Sequence, residues 1–234
     1  MKRLFSGLIL LTIFLATLLP AAAQRVASCK VGLEAPAFGF WNWPLHSTVK
    51  VYILIADFQS DEVPYLLAPV HNWNSVSEAT GSGVKLLYAG STSSPLLCEN
   101  CLTIMRGHVF DKTGRHATEL RAYSAKQDQV ITYASIVIDP ALTNPKALAY
   151  AVAHELGHNF GLLDCFNCKE KSTVMNQFKF LNGSNDMAGP TACDLAQVKA
   201  AYKELARRVR PSPETEDAGE EPIDDDTPIV VPRS

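Results

Sequence analysis

The chain has 234 residues, 47% of them hydrophobic, and a formal net charge of −3. This composition supports a sizeable core and excludes disorder throughout the chain. Residues 24–210 carry 18 basic and 16 acidic side chains. A segment so close to neutral lacks the basic surface that nucleic-acid binding requires, so we expect no nucleic-acid partner.

The N-terminus has the pattern of a secretory signal peptide. Lys2 and Arg3 precede an apolar run, and Pro20 and three alanines follow it. A basic region, an apolar region and small residues before a cleavage point define such peptides. We predict removal of residues 1–23, secretion of the remainder and no membrane attachment after cleavage. The alternatives are a membrane anchor, for which the run is short, and a lipid anchor at Cys29.

The first half of the mature chain is predicted to contain several strands and one helix. Apolar residues spaced by three and four predict an amphipathic helix over 63–79, which Gly81 and Gly83 end. The polar stretch 111–129 is expected to be an exposed loop or an edge segment. Segments rich in β-branched and aromatic residues predict strands at 49–55, 84–88, 102–105 and 130–138.

Two helices are predicted in the second half. Asn144 and Pro145 supply an N-cap and a first helical residue, and the alanine-rich, apolar stretch to His158 predicts a buried central helix. A last helix is predicted over 191–208, with one apolar face formed by Leu195, Val198, Tyr202 and Leu205. This order of elements predicts a single α+β domain over residues 24–210.

Six cysteines lie in the mature segment. An even number in an exported chain predicts up to three disulfides, with a pairing that sequence alone leaves open. The pairs Cys98–Cys101 and Cys165–Cys168 could instead hold a structural zinc ion, although their separation exceeds the usual spacer. A further alternative is that the Cys29 thiolate blocks a catalytic metal.

Residues 154–158 read H-E-L-G-H and match the H-E-x-x-H pattern on a helix. Four residues turn a helix by about 400°, so His154 and His158 project from one face and can reach one zinc ion. Glu155 lies beside them and can accept a proton, as general base, from the water that the zinc activates.

The pattern continues as H-E-x-x-H-x-x-G-x-x-D. Gly161 can take a left-handed conformation, which ends the helix and turns the chain back toward the metal. Asp164 is then placed to offer a carboxylate oxygen as third ligand. The alternative is that Asp164 is a local cap or turn residue and that His108 or His116 completes the site.

This extended motif, with Met175 eleven residues after Asp164, resembles the metzincin zinc endopeptidases. Most metzincins have histidine where this chain has Asp164; the aspartate form is similar to the snapalysin group of small secreted bacterial metalloproteases. Met175, in the stretch S-T-V-M-N, looks like the family's methionine turn beneath the zinc, although it could be an ordinary core methionine. The resemblance covers about residues 46–208.

The resemblance implies a zincin domain. Its expected parts are a twisted mixed sheet with a long helix and an active-site helix, then a mostly irregular lower subdomain ending in a C-terminal helix. It also implies one catalytic zinc ion bound by His154, His158 and Asp164, with Glu155 as general base. Neither a matrixin-type cysteine-switch propeptide nor a tyrosine just after Met175 is evident.

We therefore expect a secreted, monomeric zinc endopeptidase that hydrolyses peptide bonds of proteins. Two alternatives remain on the same scaffold: a catalytically silent secreted binding protein, and a zinc amidase that acts on non-protein amides. The intact general base, Glu155, argues against the silent protein.

Two segments near the C-terminus have distinct composition. Residues 182–186 contain oxygen ligands and are a candidate Ca²⁺ site or an ordinary loop. Residues 211–234 contain five prolines and eight acidic residues. A segment so poor in large apolar residues cannot offset its ordering entropy, so we predict a disordered, acidic, proline-rich tail.

Overall fold

A computed structural model describes residues 29–39, 41–108, 117–124, 130–176, 187–208 and 229–232 of the chain. The strands are β1 (Thr48–Leu54), β2 (Lys85–Thr92), β3 (Cys101–Arg106), β4 (Ala117–Ser124), β5 (Val130–Ile138) and β6 (Ile229–Pro232). The helices are α1 (Val63–Trp73), α2 (Ser75–Thr80), α3 (Pro145–Asn159) and α4 (Ala192–Arg208), with a 3₁₀ turn at Ile55–Asp57.

The strands form one mixed sheet in the order β2-β1-β3-β5-β4-β6. The first four of these are parallel to one another, whereas β4 runs antiparallel to β5, and β6 antiparallel to β4. Parallel neighbours need a crossover connection, and α1 and α2 supply the one between β1 and β2. A mixed sheet with packed helices is compatible with the predicted α+β class.

The single helix predicted over 63–79 is divided in two at Asn74. The Asn74 side chain donates to the carbonyl of Leu86 at 2.9 Å and accepts from the N–H of Leu86 at 2.7 Å. Because an asparagine that bonds backbone groups elsewhere competes with the helix, this contact anchors the junction to β2. α2 then ends at Gly81, whose φ of 71° is left-handed.

β4 lies within the stretch that was expected to be an exposed loop or an edge segment. It pairs with β5 along its whole length, and its place near the sheet margin is consistent with polar residues. β2 also extends beyond its predicted end at Tyr88. A register shift opposite β1 leaves one extra residue between Tyr88 and Gly90, a β-bulge that composition alone did not reveal.

α1 packs against α3, and α3 lies against β5. Trp73 of α1 stacks on Phe160 with ring centroids 5.0 Å apart, and its indole N–H donates to the Ala153 carbonyl of α3 at 2.9 Å. Both aromatic residues are fully buried, so they fix the central helix against its neighbour. None of the helices in the described ranges has the length and apolar character needed to span a bilayer.

Three disulfides join all six cysteines, as the even count predicted. Each C-x-x-C pair closes on itself, which excludes a structural zinc site built from the two pairs. Cys29 is bonded to Cys193 at the start of α4, so the alternative of Cys29 as a metal-blocking thiolate is wrong. This long-range bridge fastens the N-terminal segment to the last helix.

The expected tail over 211–234 differs from the structure at its end. Ile229–Pro232 forms β6, with Ile229 opposite Tyr123 and Pro232 opposite Leu120. Three successive β-branched residues favour a strand, and the margin of a sheet offers unpaired backbone groups. The predicted signal peptide, the candidate Ca²⁺ loop at 182–186 and residues 209–228 lie outside the described residues.

Candidate metal centre

α3 begins at the N-cap that was predicted from sequence. The Asn144 side-chain oxygen accepts from the N–H groups of Lys146 at 3.0 Å and Ala147 at 3.1 Å, which satisfies two helix-start donors. The helix is buried from Ala147 to its end. Buried with it are the polar residues of the motif, His154, Glu155 and His158, which are 3%, 4% and 5% exposed.

α3 ends in a Schellman motif built on Gly161, which takes a left-handed φ of 81° as predicted. The Gly161 N–H donates to the carbonyl of His158 at 2.9 Å, and the Leu162 N–H donates to that of Gly157 at 3.0 Å. A Cβ at Gly161 would lie 2.5 Å from Oδ1 of Asn42. Conformation and space therefore both require glycine at this turn.

A backbone carbonyl orients each histidine of the motif. Nδ1 of His154 lies 2.9 Å from the Val174 oxygen, and Nδ1 of His158 lies 2.7 Å from the Leu162 oxygen. Because a carbonyl only accepts, we assign the proton to Nδ1 in both rings, which leaves a lone pair on Nε2 when the ring is neutral. The two Nε2 atoms lie 3.1 and 3.4 Å from Oδ1 of Asp164.

Two imidazole lone pairs thus face one carboxylate oxygen, an arrangement that requires a proton or a cation between them. The three candidate ligand atoms all lie within 4.8 Å of one another. Ligands at the usual ~2.0–2.1 Å from a tetrahedral metal are separated by about 3.3 Å, close to both nitrogen–oxygen distances. The group formed by His154, His158 and Asp164 therefore fits a metal ion.

The electrostatics of the group show how strongly its members interact. Burial alone would lower the pKa of His154, but the hydrogen bond to Asp164 and the charges of Glu155 and Asp164 together raise that pKa. Burial likewise opposes ionisation of Asp164, whereas its bonds to His154 and His158 hold the pKa of its carboxyl well below the usual range. A divalent cation would take the place of the shared proton.

Asp164, and not His108, completes the cluster. His108 is exposed and lies outside the cluster, while His116 falls outside the described residues. The Asp164 side chain is 23% exposed, whereas those of His154 and His158 are 3% and 6% exposed, so Asp164 is the member of the group most accessible to solvent.

Met175 lies beneath the helix that carries the motif. A Cβ on Gly157 would come within 2.3 Å of the Met175 sulfur, so the thioether fills the space beside the glycine that directly precedes His158. Met175 is fully buried, and its carbonyl accepts from the Cys165 N–H at 2.8 Å. It is therefore a core residue that packs against Gly157 of the motif.

Several supporting contacts were not predicted from sequence. The Gly39 N–H donates to the Gly161 carbonyl at 2.7 Å, and the Leu163 N–H donates to the Ala37 carbonyl at 2.9 Å. The N-terminal segment therefore braces the loop between the second histidine and Asp164. These are backbone contacts, which leave no signal in the types of side chain.

Asp194 is a supporting residue that a sequence signal could have revealed. It is fully buried, and it follows Thr191 at the spacing of a helix capping box. Its carboxylate also reaches the Thr173 hydroxyl in the segment that precedes Met175.

No protein-family model matches the chain, and no curated protein matches it either.

Proposed function

We propose that the protein is a secreted zinc endopeptidase of the metzincin type, in the variant with an aspartate ligand. The observation that carries this proposal is the convergence of Nε2 of His154 and Nε2 of His158 on the Asp164 carboxylate. Two imidazoles and one carboxylate are a typical donor set for catalytic zinc, which keeps its fourth position open. Burying such groups without a shared role would be costly.

The chain's own residues have distinct roles in this proposal. When bound, zinc would supply Lewis acidity toward a scissile carbonyl and the attacking water. Glu155 is 4% exposed and adjoins His154 in α3, and it would accept the water's proton and pass it to the leaving amine. The carbonyls of Val174 and Leu162 keep both imidazoles in the tautomer that directs Nε2 to the metal.

The arrangement of elements supports a metzincin-like fold. The motif lies on a buried central helix, Gly161 turns the chain back toward Asp164, Met175 lies beneath, and α4 follows. Three disulfides support the proposed export, because such bonds persist in oxidising compartments. Part of the specificity pocket is expected in the segment after Met175, of which residues 177–186 lie outside the described ranges.

Zinc analysis and peptidase assays on the purified mature chain would test the proposal. We expect one tightly bound zinc ion and cleavage of casein and of a mixed peptide library. Glu155→Gln keeps the side-chain shape but removes the base, so it should retain zinc and lose at least about 100-fold in rate. Glu78→Gln on the exposed surface of α2 is the matched control and should change neither property.

The same measurements separate the endopeptidase from both alternatives. A protein that binds one zinc ion but cleaves neither casein nor peptides is a silent binder or an amidase for other amides. Cleavage that survives in Glu155→Gln at the wild-type rate would show that the peptidase mechanism proposed here is wrong.

A further inference from the structure

Asp194, the third residue of α4, is a fully buried carboxylate with partners in two segments. The Thr191 N–H donates to its Oδ2 at 2.9 Å, and the Asp194 N–H donates to the Thr191 hydroxyl at 3.2 Å, which completes a capping box. The Val174 N–H also donates to Oδ2, at 3.0 Å, and the Thr173 hydroxyl donates to Oδ1. Capping accounts for the Thr191 bonds; the other two hold the segment that precedes Met175.

Hydrogen bonds continue from Asp194 to His154 without a break. The Thr173 hydroxyl donates to Asp194, and its oxygen accepts from the Met175 N–H at 2.9 Å. The Met175 N–H and the Val174 carbonyl belong to the same peptide group, and this carbonyl accepts from Nδ1 of His154 at 2.9 Å. Thr173, Val174 and Met175 are all 0% exposed, so water does not compete for these links.

We propose that Asp194 is a positioning residue that raises the metal affinity of His154, acting through the Thr173 hydroxyl and the amide that follows Val174. In a buried chain of hydrogen bonds each link polarises the next. Burial raises the pKa of the Asp194 carboxyl, whereas the hydrogen bonds that it accepts from Thr173, Thr191 and Val174 favour its carboxylate form. As a carboxylate, Asp194 makes the Val174 oxygen a stronger acceptor for the proton on Nδ1. A stronger acceptor there fixes the ring and makes Nε2 a better metal ligand.

This inference rests on the proposed zinc site but not on peptidase activity, so its test measures metal binding. Thr173→Val keeps the shape of the side chain and removes the hydroxyl, whereas Thr173→Ser retains the hydroxyl. Asp194→Asn replaces one of the two carboxylate oxygens with an NH₂ group, which donates and cannot accept. The Thr173 hydroxyl and the two N–H groups bond to different oxygens of the carboxylate, so the remaining oxygen can serve either set but not both.

Thr80→Val is a closely matched control. The buried Thr80 hydroxyl donates to the Val76 carbonyl at 2.6 Å and accepts from the Ser82 N–H at 3.2 Å. Like Thr173, it donates one hydrogen bond and accepts one from the N–H two residues later, but its acceptor is a backbone carbonyl and both bonds lie within the turn that ends α2. Its loss reports what removing a buried threonine hydroxyl does to folding alone.

Three measurements are needed: the zinc dissociation constant from chelator competition, the visible spectrum of the Co²⁺-substituted protein, and urea unfolding in the presence of a chelator. Thr173→Val and Asp194→Asn should raise the zinc dissociation constant about 10-fold or more and shift the Co²⁺ bands. Thr173→Ser and Thr80→Val should retain wild-type values for both. Thr80→Val should still lower the unfolding midpoint.

The inference is overturned if Thr173→Val and Asp194→Asn lower only the unfolding midpoint, as Thr80→Val does, and leave zinc affinity and the Co²⁺ spectrum unchanged. A wild-type chain that binds no zinc would overturn both this inference and the proposed function. Zinc affinities that respond as expected in a protein without peptidase activity would support the role of Asp194 and refute the endopeptidase.

Discussion

Replacing Gly157 with alanine tests how closely Met175 packs beneath the metal-binding helix. The new Cβ would lie 2.3 Å from the Met175 sulfur and 3.4 Å from Cζ2 of Trp73. Met175 and Trp73 are both 0% exposed, so neither side chain can move aside into solvent. The interior must therefore deform to admit one methyl group.

The net effect of Gly157→Ala on stability is the difference between two opposing contributions. Inserting a methyl group into a packed core costs about 1–3 kcal/mol. Alanine gains about 1 kcal/mol over glycine inside a helix. Because a Cβ–sulfur distance of 2.3 Å is a severe overlap, we take the upper part of the packing cost, about 2–3 kcal/mol. Subtracting the gain from alanine leaves an expected net loss of about 1–2 kcal/mol in the free energy of unfolding. Zinc affinity should also fall, because Gly157 directly precedes the proposed ligand His158 and a shift of the helix there would displace its ring.

A double-mutant cycle identifies Met175 as the cause. Met175→Ala alone should cost about 2–5 kcal/mol through the cavity that it leaves. In that background the clash is gone, so Gly157→Ala should stabilise the protein by about 0.5–1 kcal/mol. Urea unfolding of all four proteins, each with a chelator present, gives the coupling energy. Equal effects of Gly157→Ala in both backgrounds would refute the packing explanation.

Four other predictions concern the metal ligands and the disulfides. Asp164→Ala should raise the zinc dissociation constant by at least about 100-fold; stoichiometric zinc after dialysis against a weak chelator would exclude Asp164 as a ligand. Because the pKa of His154 is raised, protons should compete with zinc from above pH ~6.5, so affinity measured across pH should fall as pH decreases. In a chelator, the contribution of the raised pKa of His154 and the lowered pKa of Asp164 to the unfolding midpoint should be greatest between about pH 3.9 and about pH 6.5. It should decrease as pH rises above about 6.5, where His154 loses its proton, or falls below about 3.9, where Asp164 gains one. If replacing Asp164 with asparagine left the shape of this profile unchanged, the explanation would be contradicted. Cys29→Ser with Cys193→Ser opens a loop of 164 residues in sequence separation and should cost about 5 kcal/mol by chain entropy, against about 2 kcal/mol for either short bridge; equal losses on urea unfolding would contradict the loop-length argument.

Much of the local structure was predictable because its causes lie within a few residues. The N-cap at Asn144 and the left-handed turn at Gly161 each follow from the type of one residue and its neighbours. The division at Asn74 did not follow, since its cause is a pair of hydrogen bonds to Leu86 in another element. β6 was missed for a similar reason: its few apolar residues are sufficient to form a strand only when the margin of a sheet, here β4, is available for pairing.

The candidate site was predictable to the extent that helical spacing places side chains. His154 and His158 share a face because they are four residues apart, and Asp164 returns to them after a turn that glycine permits. The residues that orient them were not predictable in the same way. The Val174 carbonyl contacts His154 from a segment about 20 residues later in the chain, and the buried Asp194, about 40 residues later, holds that segment.

The sequence by itself determined which side chains could bind a metal, the length and burial of the helix that presents them, and the even set of cysteines. The tertiary structure decided which cysteines pair and which carbonyl accepts from each imidazole. It also decided that the segment near Ala37 bonds to the loop before Asp164, and that Asp194 accepts from Thr173 and Val174. The physical reason is the range of the interactions. Helix periodicity and turn conformation act between near neighbours, whereas backbone hydrogen bonds between distant segments depend on proximity that only the folded chain creates.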